Sequence, residues 1–213
     1  MRNARTWFTV GLAALAVACG GGEGGKAGGG DELAIQLGGL GANGFNYTQG
    51  SYLLGFVVKP KANLTVTQLA WYDASRTGAT QTFEPHAVAI YDLSAHTLLG
   101  QTTVDGSGPA DGPFRWKTLA APIALAKDGL YGVVGITGTN AYTVGILASE
   151  ATVAPDLALV SGAIYSSTGT ANAPTTTATL VEPNAFDAGN IFGSPTPSNV
   201  LPNFGPNFRY TVP

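Results

Sequence analysis

Cysteine, histidine and charge are all scarce in this chain, and each scarcity closes off a class of protein. A single thiol, Cys19, permits no intramolecular disulfide, so the 213-residue chain must hold together by packing alone. Histidine occurs only at His86 and His96, and with no Gly-x-Ser-x-Gly elbow in the sequence a serine-hydrolase triad has no footing. Two histidines also leave a zinc site short of a third ligand at helical or hairpin spacing. Among the few carboxylates, Glu84, Asp92, Glu150, Asp156 and Glu182 show no motif that would set two of them across a glycosidic bond, so a polysaccharide-active enzyme is the weakest reading. Charged residues make up 11% of the chain and the formal charge is −3, a balance that argues against binding nucleic acid.

What is present begins at the N-terminus. Arg2 and Arg5 precede an apolar run from Trp7 to Ala18, with the small residues Ala16, Val17 and Ala18 at its end. These are the charged, apolar and cleavable parts of an export signal. The run is shorter than the roughly 20 residues that span a bilayer. Leu15-Ala16-Val17-Ala18-Cys19 resembles the lipobox of bacterial lipoproteins, although Ala16 stands where leucine is usual. That resemblance implies a signal peptide over residues 1–18 and lipidation of Cys19, with the membrane as partner through the lipid. A diacylglyceryl group supplies the two chains that stable anchoring needs, at about 0.8 kcal/mol per buried methylene. Plain secretion after cleavage at Ala18 is the alternative. Gly20 offers no aspartate-type retention signal, which leans the anchor toward the outer membrane. Cleavage would leave 8 basic against 13 acidic residues, a formal charge of −5.

Residues 19–31 read as a tether. Gly20 to Gly30 is GGGEGGKAGGG, which cannot bury enough surface to offset its conformational entropy and has a root-mean-square reach on the order of 20 Å. A phosphate-binding loop would need Lys-Ser or Lys-Thr, whereas Lys26 is followed by Ala27 and Gly28.

Residues 32–213 are the length of one domain. Strand signals recur between turns: Tyr52–Val58, Leu64–Tyr72, His86–Leu93, Leu98–Val104, Phe114–Leu119, Ile123–Leu125, Leu130–Ile136, Tyr142–Leu147, Leu157–Tyr165 and Phe204–Val212. In Leu64–Tyr72 the alternation changes phase near Gln68-Leu69, as a bulge would make it. Val88 and Ile90 fall on one face of their strand, and Ala89 and Tyr91 on the other. His86–Leu93 and Leu98–Val104 form a hairpin. Asp105–Pro113 (DGSGPADGP) and Ser166–Thr179 read as loops, and Phe208, Tyr210 and Val212 share a face. The fold class is all-β: a two-sheet antiparallel sandwich, jelly-roll-like, with a barrel the lesser possibility.

Several of these segments also form ordered phrases. They are Gly55-Phe56-Val57-Val58, Leu64 to Asp73 (LTVTQLAWYD), Pro85 to Asp92 (PHAVAIYD), Gly112-Pro113-Phe114-Arg115-Trp116, Leu125 to Val133 (LAKDGLYGV) and Gly205 to Tyr210 (GPNFRY). In order and spacing this resembles the DUF4082-like β-sandwich domains of unknown function found in exported bacterial proteins, including PEP-CTERM proteins, over about three quarters of the mature chain. The resemblance implies a sandwich fold and an extracytoplasmic address, and it carries no catalytic residues. PEP-CTERM members would carry a sorting tail after Val212-Pro213, and the lipidated cysteine is expected to replace it as the anchor.

Sandwiches of this size bind sugars through exposed aromatic rings and hold Ca2+ at loop carboxylates. The candidate stacking platform is Trp71, Tyr72, Trp116 and Tyr131, although Trp71 and Trp116 also fit a core, since both lie in otherwise apolar strands. The candidate cation ligands are Asp73, Asp92, Asp105 and Asp111, which serve equally as turn caps. His86, at the start of a strand, reads as a structural residue hydrogen-bonded at a sheet end. The sequence thus points to a lipid-anchored binding or surface-structural protein with an extracellular glycan as the favoured ligand. A self-associating matrix component is the alternative.

Overall fold

Short polar residues fix where the strands stop. Asp92 Oδ1 accepts hydrogen bonds from the Ser94 and Ala95 amides at 2.8 and 2.9 Å, and His96 adopts a φ of 58° to finish that turn. In the turn between Leu125 and Tyr131, Asp128 takes a φ of 64° beside Gly129, while Asn63 Oδ1 accepts the Lys127 amide and ties this turn to the one after Pro60.

The computed structural model describes residues 31–37, 45–46, 53–77, 82–138, 144–145, 151–166 and 205–213. The export segment, Cys19, the glycine tether up to Gly30 and all but the first residue of the 166–179 loop lie outside the described residues. In chain order the strands are β1 (Glu32–Leu33), β2 (Ile35–Leu37), β3 (Phe45–Asn46), β4 (Leu53–Pro60), β5 (Leu64–Tyr72), β6 (His86–Asp92), β7 (Thr97–Val104), β8 (Ala110–Asp111), β9 (Phe114–Leu125), β10 (Tyr131–Ile136), β11 (Val144–Gly145), β12 (Ala151–Val153), β13 (Leu157–Ser166) and β14 (Pro206–Thr211). One 3-10 turn, Ala74–Thr77, follows β5.

The fold is an all-β sandwich. Its first sheet has the order β1-β14-β5-β9-β8 and its second β13-β4-β10-β6-β7, with every pairing antiparallel; β11 pairs with β3 and β12 with β2. Leu54, Phe56, Val58, Val88, Ile90 and Val133 of the second sheet share one apolar core with Leu64, Val66, Leu69, Trp71, Phe208 and Tyr210 of the first. The alternate residues of the second sheet, Leu53, Val57, Ala87, Ala89, Tyr91, Val134 and Ile136, form a separate buried cluster on its other face. Strands covered on both sides read as unbroken apolar runs, which is why β4 and β10 show no polar alternation. For β6, the two faces expected from the sequence exist, and both are buried.

The phase change in β5 is a bulge. Arg209 and Tyr210 of β14 face Gln68 and Val66, leaving Thr67 as the extra residue. Across from it, β9 runs as one strand where two were expected. Its pairing jumps from Thr118 to Ile123 because Pro122, with no N–H, cannot continue the ladder. β14 starts at Pro206, Phe204 lies outside the described residues, and Val212, expected to share a face with Phe208 and Tyr210, is 41% exposed just past the strand's end.

Candidate functional site

The four aromatic residues considered as a stacking platform are all buried, from 0% exposed for Trp71 to 4% for Tyr131. Trp71 and Tyr72 are consecutive in one strand and so point to opposite faces of the first sheet, which already prevents one shared platform. The Trp71 indole stacks on the His86 imidazole at 4.5 Å and 18°, and it fills the space that a Cβ on Gly135 would need. Tyr72 packs edge-on against its cross-strand partner Phe114, with centroids 6.3 Å apart. Trp116 has Phe114 at 6.0 Å and the Arg209 guanidinium over its ring at 4.3 Å, the place a sugar would occupy. The Tyr131 hydroxyl accepts the Ala126 amide at 2.9 Å and closes the β9–β10 turn. The core alternative for Trp71 and Trp116 is the one observed, and it extends to Tyr72 and Tyr131. Among the described residues the large apolar side chains that are exposed are Leu99, Val160 and Val212, none of them a ring.

The aspartates considered for Ca2+ divide by location. Asp92 caps the β6–β7 turn. Asp73, Asp105 and Asp111 are gathered by the hairpin of β8 and β9, and each is matched to a cation of the chain itself. Asp73 is 1% exposed; its Oδ2 accepts Arg115 Nε at 2.8 Å, while Oδ1 accepts the Ser75 amide at 3.0 Å and caps the 3-10 turn. Arg115 also donates from Nη1 to the Gly106 carbonyl at 3.1 Å, so one guanidinium joins the end of β5 to the loop. Asp105 pairs with Lys117 at 3.4 Å, and hydrogen bonds from the Ser107 side chain and amide hold its carboxyl below the usual range. Asp111 pairs with Arg209. Arg76 Nε donates to the Gly112 carbonyl at 2.6 Å, where Gly112 takes a left-handed φ of 54°. The carboxylates thus carry turn caps and ion pairs, and among the described residues no three of His, Cys, Asp and Glu group as metal ligands.

His86 is 2% exposed at the first position of β6, and its Nδ1–H donates to the Ile136 carbonyl at 2.9 Å. Burial holds its pKa down at about 4, against the partial opposition of that carbonyl and the Glu84 charge. The geometry is that of a structural residue at a sheet end.

Three arrangements have no counterpart in the sequence reading. The first is the Asp73–Arg115 pair, whose only signal was that both residues stand in recurring phrases, Tyr72-Asp73 and Phe114-Arg115. The second is Asn207, fully buried, whose Nδ2 donates to the Ile35 carbonyl at 2.7 Å while Oδ1 accepts the Ile35 amide at 3.2 Å. The third is Tyr210, whose hydroxyl lies 3.4 Å from both Glu32 Oε2 and Asp156 Oδ2; burial and the two carboxylates raise its pKa. These contacts bridge 172, 178 and 54 residues of sequence, distances over which no local pattern speaks.

Comparison with protein-family models, curated proteins and solved structures found no match.

Proposed function

We propose that the chain is an exported lipoprotein, held at the outer membrane through acylated Cys19, that displays a non-catalytic β-sandwich for binding or surface structure. The observation that carries this reading is the sequence of parts: a cleavable apolar segment, one cysteine, eleven residues of glycine-rich tether, and then a sandwich whose first strand begins at Glu32. β1 lies beside β14, so the tether joins the body at an outer strand of the first sheet. The non-catalytic part is supported by Asp73, Asp105 and Asp111 each being committed to a lysine or arginine of the chain. The glycan ligand loses the support that Trp71, Tyr72, Trp116 and Tyr131 had lent it, because their rings are buried. A binding role then falls to surfaces other than those rings.

Intact mass of the membrane-extracted protein tests the anchor. The expected result is a chain that starts at Cys19 with a diacylglyceryl adduct, and Cys19→Ser is expected to move the protein to the soluble fraction. An unmodified chain of full length in the cytoplasm overturns the reading. A glycan array with the soluble form tests the ligand class separately.

A further inference from the structure

The two long outer strands of the second sheet are chemically unguarded. β7 (TLLGQTTV) and β13 (LALVSGAIYS) hold no charged residue and no proline, and both are rich in residues that favour strands. Among the described residues each has a strand neighbour on one side only. Uncharged outer strands of this kind are templates for pairing with another chain, and proteins ordinarily blunt them with lysine, proline or a bulge. Here lysine and proline are missing and bulges are present. Along β7, Gly100 faces Ile90 and Leu98 faces Tyr91, so Leu99 is an extra residue. Along β13, Leu159 faces Val58 and Ser161 faces Val57, so Val160 is extra, and a second irregularity follows between Ser161 and Ile164. Leu99 and Val160 are also two of the three exposed large apolar residues, at 37% and 50%. The first sheet differs, since it ends on β1 and β8, two residues each, and the long strand β9 beside β8 carries Arg115, Lys117 and Pro122.

We propose that the bulges at Leu99 and Val160 are guards that keep the edges of the second sheet from pairing with a second copy of this chain. A bulge interrupts the regular spacing of the outward amides and carbonyls and increases local twist, so that two outer strands cannot align over more than a few residues. The inference is independent of the anchor. It matters most on a crowded surface, where tethered copies meet at high local concentration. It also separates the display reading from the matrix-forming alternative, which would use free outer strands.

Deleting the extra residue tests it. Removing Leu99 restores one-to-one pairing along β7, and removing Val160 restores it between Leu159 and Ser161 of β13, without moving any other side chain to the opposite face, because a bulge sets two residues against one. Light scattering and sedimentation of the Cys19→Ser chain are expected to show one copy per particle, with either deletion lowering the concentration for association at least tenfold. An edge charge, Thr97→Lys in the Leu99 deletion or Ala158→Glu in the Val160 deletion, is expected to restore the monomer, which misfolding would not allow. The proposal is overturned if the folded deletion variants stay monomeric. It is also overturned if amide exchange along residues 97–104 or 157–166 of the undeleted chain slows with rising concentration, a measurement that needs no variant to fold.

Discussion

At the scale of single residues, Asp73 and His86 are buried ionisable groups held by contacts within the fold. Asp73 accepts from both a helical-turn amide and a guanidinium, so its loss removes a cap and strands the partly buried Arg115. Asp73→Ala is expected to destabilise the domain by about 2–3 kcal/mol in urea unfolding, and Asp73→Asn by less, since the amide oxygen can still cap. His86 gives the stability a pH dependence. Its folded pKa of about 4 lies below the ordinary 6.5, so the unfolded chain takes up a proton that the folded one refuses. The contribution is absent above pH 6.5, destabilises progressively as pH falls toward 4, and amounts to about 3 kcal/mol once below it. Replacing the imidazole by a ring that cannot titrate, His86→Phe, is expected to flatten stability against pH across that window. An unchanged slope would assign the acid sensitivity to other groups.

At the scale of elements, the sandwich is closed by contacts between strands far apart in sequence. Asn207 joins β14 to the N-terminal segment by bonding both backbone groups of Ile35, which are otherwise buried. Asn207→Leu removes these partners at a cost of roughly 1–3 kcal/mol for each group left unpaired. Hydrogen exchange at the Ile35 amide is expected to accelerate well before that of β5 or β9. Equal acceleration everywhere would mean that Ile35 opens only with the whole domain. Most strand ends were legible from the sequence, because Asp92, Pro60 and Asp128-Gly129 act over two or three residues. Thr67 was legible as a phase change. The continuity of β9 through Pro122 was hidden, because proline reads locally as a break and only the neighbouring β5 carries the ladder past it.

For the whole molecule, both sheets bury aromatic residues on more than one face, so the surface described here is poor in rings. Of the three tryptophans, Trp7 lies in the proposed signal segment, outside the described residues, and Trp71 and Trp116 are both buried. The folded protein is expected to emit in the blue, resist acrylamide quenching, and show no spectral change with oligosaccharides. Red-shifted, readily quenched emission would return these indoles to the surface and with them the stacking platform. Reductant should leave the melting temperature of the monomer unchanged, since one thiol forms no internal crosslink.

The all-β class, the β6–β7 hairpin, the position of the β5 bulge and the makeup of the N-terminal segment can be read from the order of residues alone. These depend on composition, two-residue periodicity and turn chemistry, all of which act within a few residues. Folding, by contrast, is what places Trp71, Tyr72, Trp116 and Tyr131 in the interior and pairs Asp73, Asp105 and Asp111 with Arg115, Lys117 and Arg209. An apolar strand looks the same in sequence whether one face or both are covered, and a carboxylate carries no mark of the cation that folding brings beside it.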